Sequence, residues 1–192
     1  RPKWCCISAG LQSHFRRNAT PFRPKEERQE ASGNSHKVFH GKQHFTNMKL
    51  NITRITTASQ RLCMEINSLQ ADLTDHPRVL ELQTLNTLLA CGDTHLFLAY
   101  TPDTDTPVGM FTLAVTHLTT GNNVWLEDVV VARHSQGQGY GRAIVRHAIE
   151  QARQICPGGK LMLTSRPTRL AANRLYSELF EQKETNVYFM RL

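Results

Sequence analysis

From residue 48 onward, apolar and polar positions follow two alternating rhythms. Leu50 and Ile52 alternate with Asn51 and Thr53, the period of a half-buried strand, which predicts a first strand over residues 49–55. Two helical stretches are expected next, 58–73 and 77–90, the second with Pro77 in its first turn and Gly92 just past its end. Residues 95–100 and 108–118 are rich in apolar, aromatic and Thr residues and predict a hairpin whose loop runs from Thr101 to Pro107. Residues 124–132 form an almost unbroken apolar run, interrupted only by Glu127 and Asp128, as a central strand covered on both faces requires. Over 143–154, Ile144, Val145, Ala148, Ile149 and Ala152 share one helical stripe, while Arg142, Arg146, His147 and Arg153 lie on other faces. A turn at Pro157 to Gly159, a strand over 161–165, a helix over 168–181 and a last strand over 186–192 complete an α/β pattern.

Residues 1–47 break this order. They carry Arg16, Arg17, Pro21, Pro24 and a cluster from Lys25 to Arg28 with no lasting apolar period, and they read as a disordered basic extension outside the functional unit. The chain begins at Arg1, and Met48 directly precedes the first strand, so upstream sequence or a misassigned start is the expectation for that extension. The expected domain is 48–192.

Charge then changes the picture. The formal net charge of +7 invites a nucleic-acid reading, but residues 1–47 hold +6 of it and residues 48–192 only +1. The expected domain has no basic excess with which to bind a polyanion, so no nucleic-acid partner is expected. Five cysteines, an odd number with no C-x-x-C spacing, fit a reducing compartment. No apolar run is long enough for a membrane span or a secretory signal. The expectation is a soluble cytoplasmic domain with no membrane partner, whose oligomeric state the sequence leaves open. His36, His40 and His44 have a helical spacing that could bind a metal, but no Cys or carboxylate completes a set, and no metal is expected.

The chemistry concentrates between the central strand and its helix, where Gln136, Gly137, Gln138, Gly139, Tyr140, Gly141 and Arg142 alternate glycines with side chains. A strand, a Gly-rich loop and a helix make a phosphate cradle. The backbone can approach a ligand closely, and the unpaired N–H groups of the first helical turn meet it with the positive end of the helix dipole. A plain Gly-rich turn is the alternative. Dinucleotide spacing would need glycine at Arg142, and the Walker sequence is absent.

With Gln136, Gly139 and Gly141 in an Arg/Gln-x-x-Gly-x-Gly/Ala pattern after an apolar strand, the sequence resembles the GNAT superfamily of N-acetyltransferases. Leu163 to Tyr176, with its Ala-Asn-Arg-Leu-Tyr segment, looks like that family's next strand and helix, and Glu184 to Tyr188 like its final strand. The helix end departs from the family, which has glycine where the chain reads Leu179-Phe180.

The resemblance implies a mixed sheet flanked by helices and splayed open between the strands at 124–132 and 161–165. It implies acetyl-coenzyme A as co-substrate, its pantetheine arm along Val129, Val130 and Val131, its pyrophosphate on Gln136 to Arg142, and a contact from Asn173. It also implies that Tyr176 protonates the departing thiolate. A surface role for Asn173 and a core role for Tyr176 are the alternatives. A lysine-like amine has a pKa near ~10.4 and must lose a proton before it attacks, so a base or a water relay is needed. Glu127 and Asp128 are the candidates, with Glu127 preferred. Adjacent strand residues point to opposite faces, so only one reaches the site unless a bulge intervenes, and either could instead bind a cationic substrate. The acceptor pocket is expected to be built from the two early helices, roughly residues 58–90, which carry Glu65, Asp72, Asp75 and Glu81, and from the final strands. A non-catalytic acyl-CoA-binding or sensing module is the rival reading, and a longer acyl group is a further possibility.

Overall fold

The computed structural model describes residues 50–190, so the predictions for 1–47, including the three histidines, lie outside the described residues. Five strands, β1 (Asn51–Arg54), β2 (Thr94–Tyr100), β3 (Pro107–Leu118), β4 (Gly121–Val131) and β5 (Lys160–Met162), form one mixed sheet in sequential order. The first four are antiparallel, and β5 runs parallel to β4. Four helices, α1 (Gln60–Leu73), α2 (Leu82–Ala90), α3 (Tyr140–Ile155) and α4 (Leu170–Leu179), cover its two faces.

Side-chain alternation on the strands builds two cores. Phe97, Phe111, Leu113, Val124 and Leu126 pack against Ile144, Val145 and Ala148 of α3 and Tyr176 of α4. Leu96, Leu98, Met110 and Val130 pack against Cys63, Ile66 and Leu69 of α1 and Leu85 of α2. The period-two strands therefore feed both faces, as a sheet between two helical layers requires. α1 starts where the Ser59 hydroxyl accepts a hydrogen bond from the Leu62 N–H at 3.2 Å.

Three expectations need correction. Pro77 is not in the first turn of α2, which begins at Leu82. Before it, the Asn67 side chain pins the chain at Leu80, accepting from its N–H at 2.8 Å and donating to its carbonyl at 3.2 Å. The expected strand at 161–165 is shorter, ending at Met162. Residues 186–190, expected as a strand, join no ladder, and Val187, Tyr188, Phe189 and Met190 are exposed. An apolar segment becomes a strand only where an edge pairs with it and a face covers it.

Candidate active site

β4 carries the site because its two halves have different neighbours. Asn123, Val124 and Trp125 pair with β5, and beyond Trp125 no β5 partner continues. The backbone from Leu126 to Val131 therefore faces an open gap on that side while remaining joined to β3 on the other. Here the sheet opens as expected. The gap exposes peptide groups that an extended ligand could satisfy.

Within that half the ladder to β3 skips. Thr112 faces Glu127 and Met110 faces Val130, so Phe111 alone lies opposite Asp128 and Val129. This is a β-bulge, and Asp128 takes the left-handed conformation with φ 54°. The Thr112 hydroxyl donates to Asp128 Oδ2 at 3.1 Å. Thr112 is also the cross-strand partner of Glu127, so both carboxylates lie on the face of the sheet covered by α1 and α2. The bulge that could bring them together is present. Glu127 keeps solvent access, yet the surrounding protein desolvates its carboxyl. That desolvation first, and the nearby Asp128 charge second, raise its pKa above the ordinary carboxylate value.

At the C-terminal end of β4 the chain makes a 3₁₀ turn at Arg133–Ser135, held to α1 by a 2.8 Å hydrogen bond from the Arg133 N–H to Asp72 Oδ2. The loop that follows places Gly137 at φ 78° and Gly139 at φ 84°, conformations that an L side chain resists. Gly139 is the N-cap of α3, and no side chain caps that helix. The first helical hydrogen bond is from Ala143 N–H to Gly139 carbonyl at 3.2 Å, so the N–H groups of Tyr140, Gly141 and Arg142 have no partner within the helix. Gln136 donates from its side chain to the Val131 carbonyl at 3.1 Å and ties the loop back to β4. Gly141 packs where a Cβ would sit 3.7 Å from both Leu175 and Val131. Arg142 is ion-paired with Glu178 of α4. Gln138 is exposed and Tyr140 half-buried in this loop.

Across the gap, α4 presents Tyr176, 9% exposed, with its ring edge-on to Phe180 at a centroid distance of 6.2 Å. Burial raises the pKa of the Tyr176 hydroxyl, and the nearby Arg169 charge opposes that rise. Asn173 donates its amide to the Arg166 carbonyl at 2.9 Å and the Pro167 carbonyl at 3.4 Å, bracing the loop that leads into α4. Two residues of this region escaped sequence reasoning. Arg169 donates to the Val129 carbonyl at 3.1 Å, and its spacing of two helical turns before Tyr176 was the available signal. Thr112 carried none, because its role depends on cross-strand register.

Two cavities stand apart from the gap. One of about 290 Å³ lies among Val124, Ile149, Cys156, Leu161, Leu179 and Phe180. Another, of about 520 Å³, lies between α1 and the β2–β3 loop and is lined by Arg61, Glu65, Tyr100 and Asp105. Glu65 is ion-paired with Arg61 at 2.8 Å there.

An open mixed sheet with a Gly-rich loop and an uncapped helix after the parting strand defines an acyltransferase of the GNAT fold. The GNAT acetyltransferase family model matches residues 63–180, and the chain belongs to that family. Solved structures agree on the fold. A protein of Agrobacterium tumefaciens str. C58 is 25% identical, with a TM-score of 0.61 over 75% of this chain and 100% of its own. An aminoglycoside acetyltransferase from an uncultured soil metagenomic sample is 18% identical, with a TM-score of 0.65 over 77% of this chain and 97% of its own. A ribosomal-protein-alanine N-acetyltransferase from Brucella melitensis is 15% identical, with a TM-score of 0.60 over 75% and 99%. No curated protein sequence matches the chain significantly. Among the described residues no helix is long and apolar enough to cross a membrane.

Proposed function

We propose that residues 48–192 form an N-acetyltransferase unit that moves the acetyl group of acetyl-coenzyme A to a primary amine of a small molecule or a protein. The observation that carries this reading is the junction of β4 and α3. β4 backbone that has lost its β5 neighbour leads into a loop with left-handed glycines and then into a helix whose first N–H groups have neither a helical partner nor a capping side chain. Gln136, Gly137, Gln138, Gly139, Tyr140, Gly141 and Arg142 receive the pyrophosphate, whose charge suits the positive end of the helix dipole. The backbone of Val129 to Val131 holds the extended arm. Asn173 acts by bracing the entry to α4, and its contact with the arm belongs to the same reading.

When bound, the acetyl thioester supplies the activated acyl group. The chain's own residues handle position and protons. Glu127 takes the proton from the incoming ammonium, directly or through water, and its raised pKa makes it a stronger base than an ordinary carboxylate. Asp128, fixed by Thr112, lends the same face a second negative charge that attracts a cationic amine. Strand N–H groups at Val129 or Val130 polarise the acyl carbonyl. Tyr176, kept protonated by burial, gives its proton to the departing sulfur. The amine enters from the α1–α2 face, where Glu127 and Asp128 lie. Structural neighbours include an aminoglycoside acetyltransferase and a ribosomal-protein-alanine acetyltransferase, so the acceptor is assigned here only as an amine.

Calorimetric titration with acetyl-coenzyme A, followed by free-thiol release across a panel of polyamines, aminoglycosides and peptides, tests this reading. Binding with amine-dependent thiol release is expected. Binding with no turnover on any amine would favour the acyl-CoA-sensing module, and no binding would remove the cradle assignment.

A further inference from the structure

Arg169 is a half-buried cation with no carboxylate within ion-pair distance among the described residues, unlike Arg61, Arg133, Arg142 and Arg153. Among the described residues its guanidinium makes one hydrogen bond, to the Val129 carbonyl at 3.1 Å, on the strand half that has parted from β5. A half-buried guanidinium that has one neutral acceptor and no carboxylate beside it keeps its remaining donors accessible and its charge unpaired, which favours an anion next to it. Position sharpens the argument. Arg169 caps the start of α4, and Tyr176 lies two helical turns later on the same side. The Arg169 charge opposes the burial-driven rise of the Tyr176 pKa, so the two groups lie within electrostatic reach of each other.

We propose that Arg169 is a further catalytic residue: anchored on the Val129 carbonyl, its guanidinium faces the thioester sulfur and holds the negative charge that builds there as the C–S bond breaks. The inference rests on the acetyl-transfer reading above. In the step itself, the neutral amine nitrogen forms its bond to the acyl carbon, the C–S electron pair goes to sulfur, the Tyr176 hydroxyl supplies the sulfur's proton, and the surplus N–H proton of the new amide passes through water to restore the Tyr176 hydroxyl. Arg169 neither gives nor takes one. It contributes charge in a partly dry site, where a fixed cation matters more than in water. Free coenzyme A is the product that carries the same sulfur, and its thiolate should be held by the same charge.

The test compares coenzyme A with acetyl-coenzyme A, which has no titrating thiol. Calorimetric affinities of both are measured from about pH 6 to pH 9.5 on the full chain and on its Arg169→Gln and Arg169→Lys variants. In the wild-type protein the ratio of coenzyme A affinity to acetyl-coenzyme A affinity should rise with pH as the thiol ionises, from a value below the usual thiol range near ~8.5. Arg169→Gln should flatten that rise by about tenfold and lower kcat by about 10²-fold, the loss seen when one preorganised donor is removed. Its affinity for acetyl-coenzyme A should change little, and Arg169→Lys should recover most of both losses. A flat ratio in the wild-type protein overturns the inference without any variant, as does a Gln variant with the wild-type pH profile. If acetyl-coenzyme A does not bind at all, the acetyl-transfer reading itself fails, which is a distinct result.

Discussion

The Thr112 hydroxyl donates to the Asp128 carboxylate at 3.1 Å and so fixes the side chain of the single non-glycine residue with positive φ among the described residues. Asp and Asn tolerate that conformation, whereas other L residues there cost about 1–2 kcal/mol. Asp128→Ala should therefore lose about 2–3 kcal/mol, combining that strain with roughly 1 kcal/mol for the hydrogen bond. Asp128→Asn should lose less than half as much. Urea denaturation of the two variants decides it, and equal stability would remove the strain argument.

Asp128 also acts on its neighbour. Burial is the larger cause of the raised Glu127 pKa and the Asp128 charge the smaller, so Asp128→Asn should lower that pKa only part of the way toward the ordinary carboxylate value. The proton would then leave Glu127 at lower pH in the variant, and Glu127 would be a weaker base. Carboxyl-carbon NMR titration of both proteins follows it directly. A Glu127 pKa that stays put or rises would separate the two carboxylates.

Gly139, at φ 84°, is the N-cap of α3 and the centre of the proposed cradle. Gly139→Glu should abolish acetyl-coenzyme A binding, because it adds a negative charge where the pyrophosphate approaches backbone. Circular dichroism should still report a folded protein, since the loop is exposed and the strain of about 1–2 kcal/mol is bearable. Retained affinity in a folded variant would reduce the loop to a turn.

Tyr176→Phe keeps the ring that packs against Phe180 and removes one hydroxyl. As a proton donor, Tyr176 contributes about 10²- to 10⁴-fold to turnover, and the loss should fall near the lower end because a thiolate, with a thiol pKa near ~8.5, leaves tolerably unprotonated. Acetyl-coenzyme A affinity should hardly change. A purely structural tyrosine predicts the reverse, with near wild-type turnover per folded molecule and a lowered thermal midpoint.

Two histidines, His95 buried and His147 half-buried, weaken the fold in acid. Burial lowers the pKa of His147, packed edge-on against Phe97 and Phe111, and of His95, where the Arg54 charge adds to the effect. A folded-state pKa below the ordinary histidine value of 6.5 means the folded protein binds fewer protons than the unfolded chain just below that pH. The stability concerned is complete above pH 6.5 and is lost as pH falls through the folded pKa. Denaturant midpoints between pH 7.5 and about pH 5 should fall less steeply for His147→Leu than for the wild type. Parallel slopes would show that His147 is not a source.

How much of this was legible beforehand follows from what each feature depends on. Strand and helix periods and the Gly-rich junction after an apolar run are local patterns, visible because backbone geometry converts residue spacing directly into faces. The class of chemistry came from the resemblance of the Gln136 to Gly141 and Leu163 to Tyr176 segments to the GNAT superfamily. The bulge that turns Asp128 toward Glu127 was not legible, because it depends on the register between β3 and β4, set by packing on both faces. Nor could spacing show that Arg169 reaches across to Val129, since that contact joins elements brought together only when the sheet parts beyond Trp125. The segment 186–190 shows the reverse case. Its alternation is that of a strand, but a strand also needs a partner edge, and through residue 190 none pairs with it. Local sequence thus determined which residues could form each element, while long-range pairing and packing decided which carbonyls stayed free and which charges met.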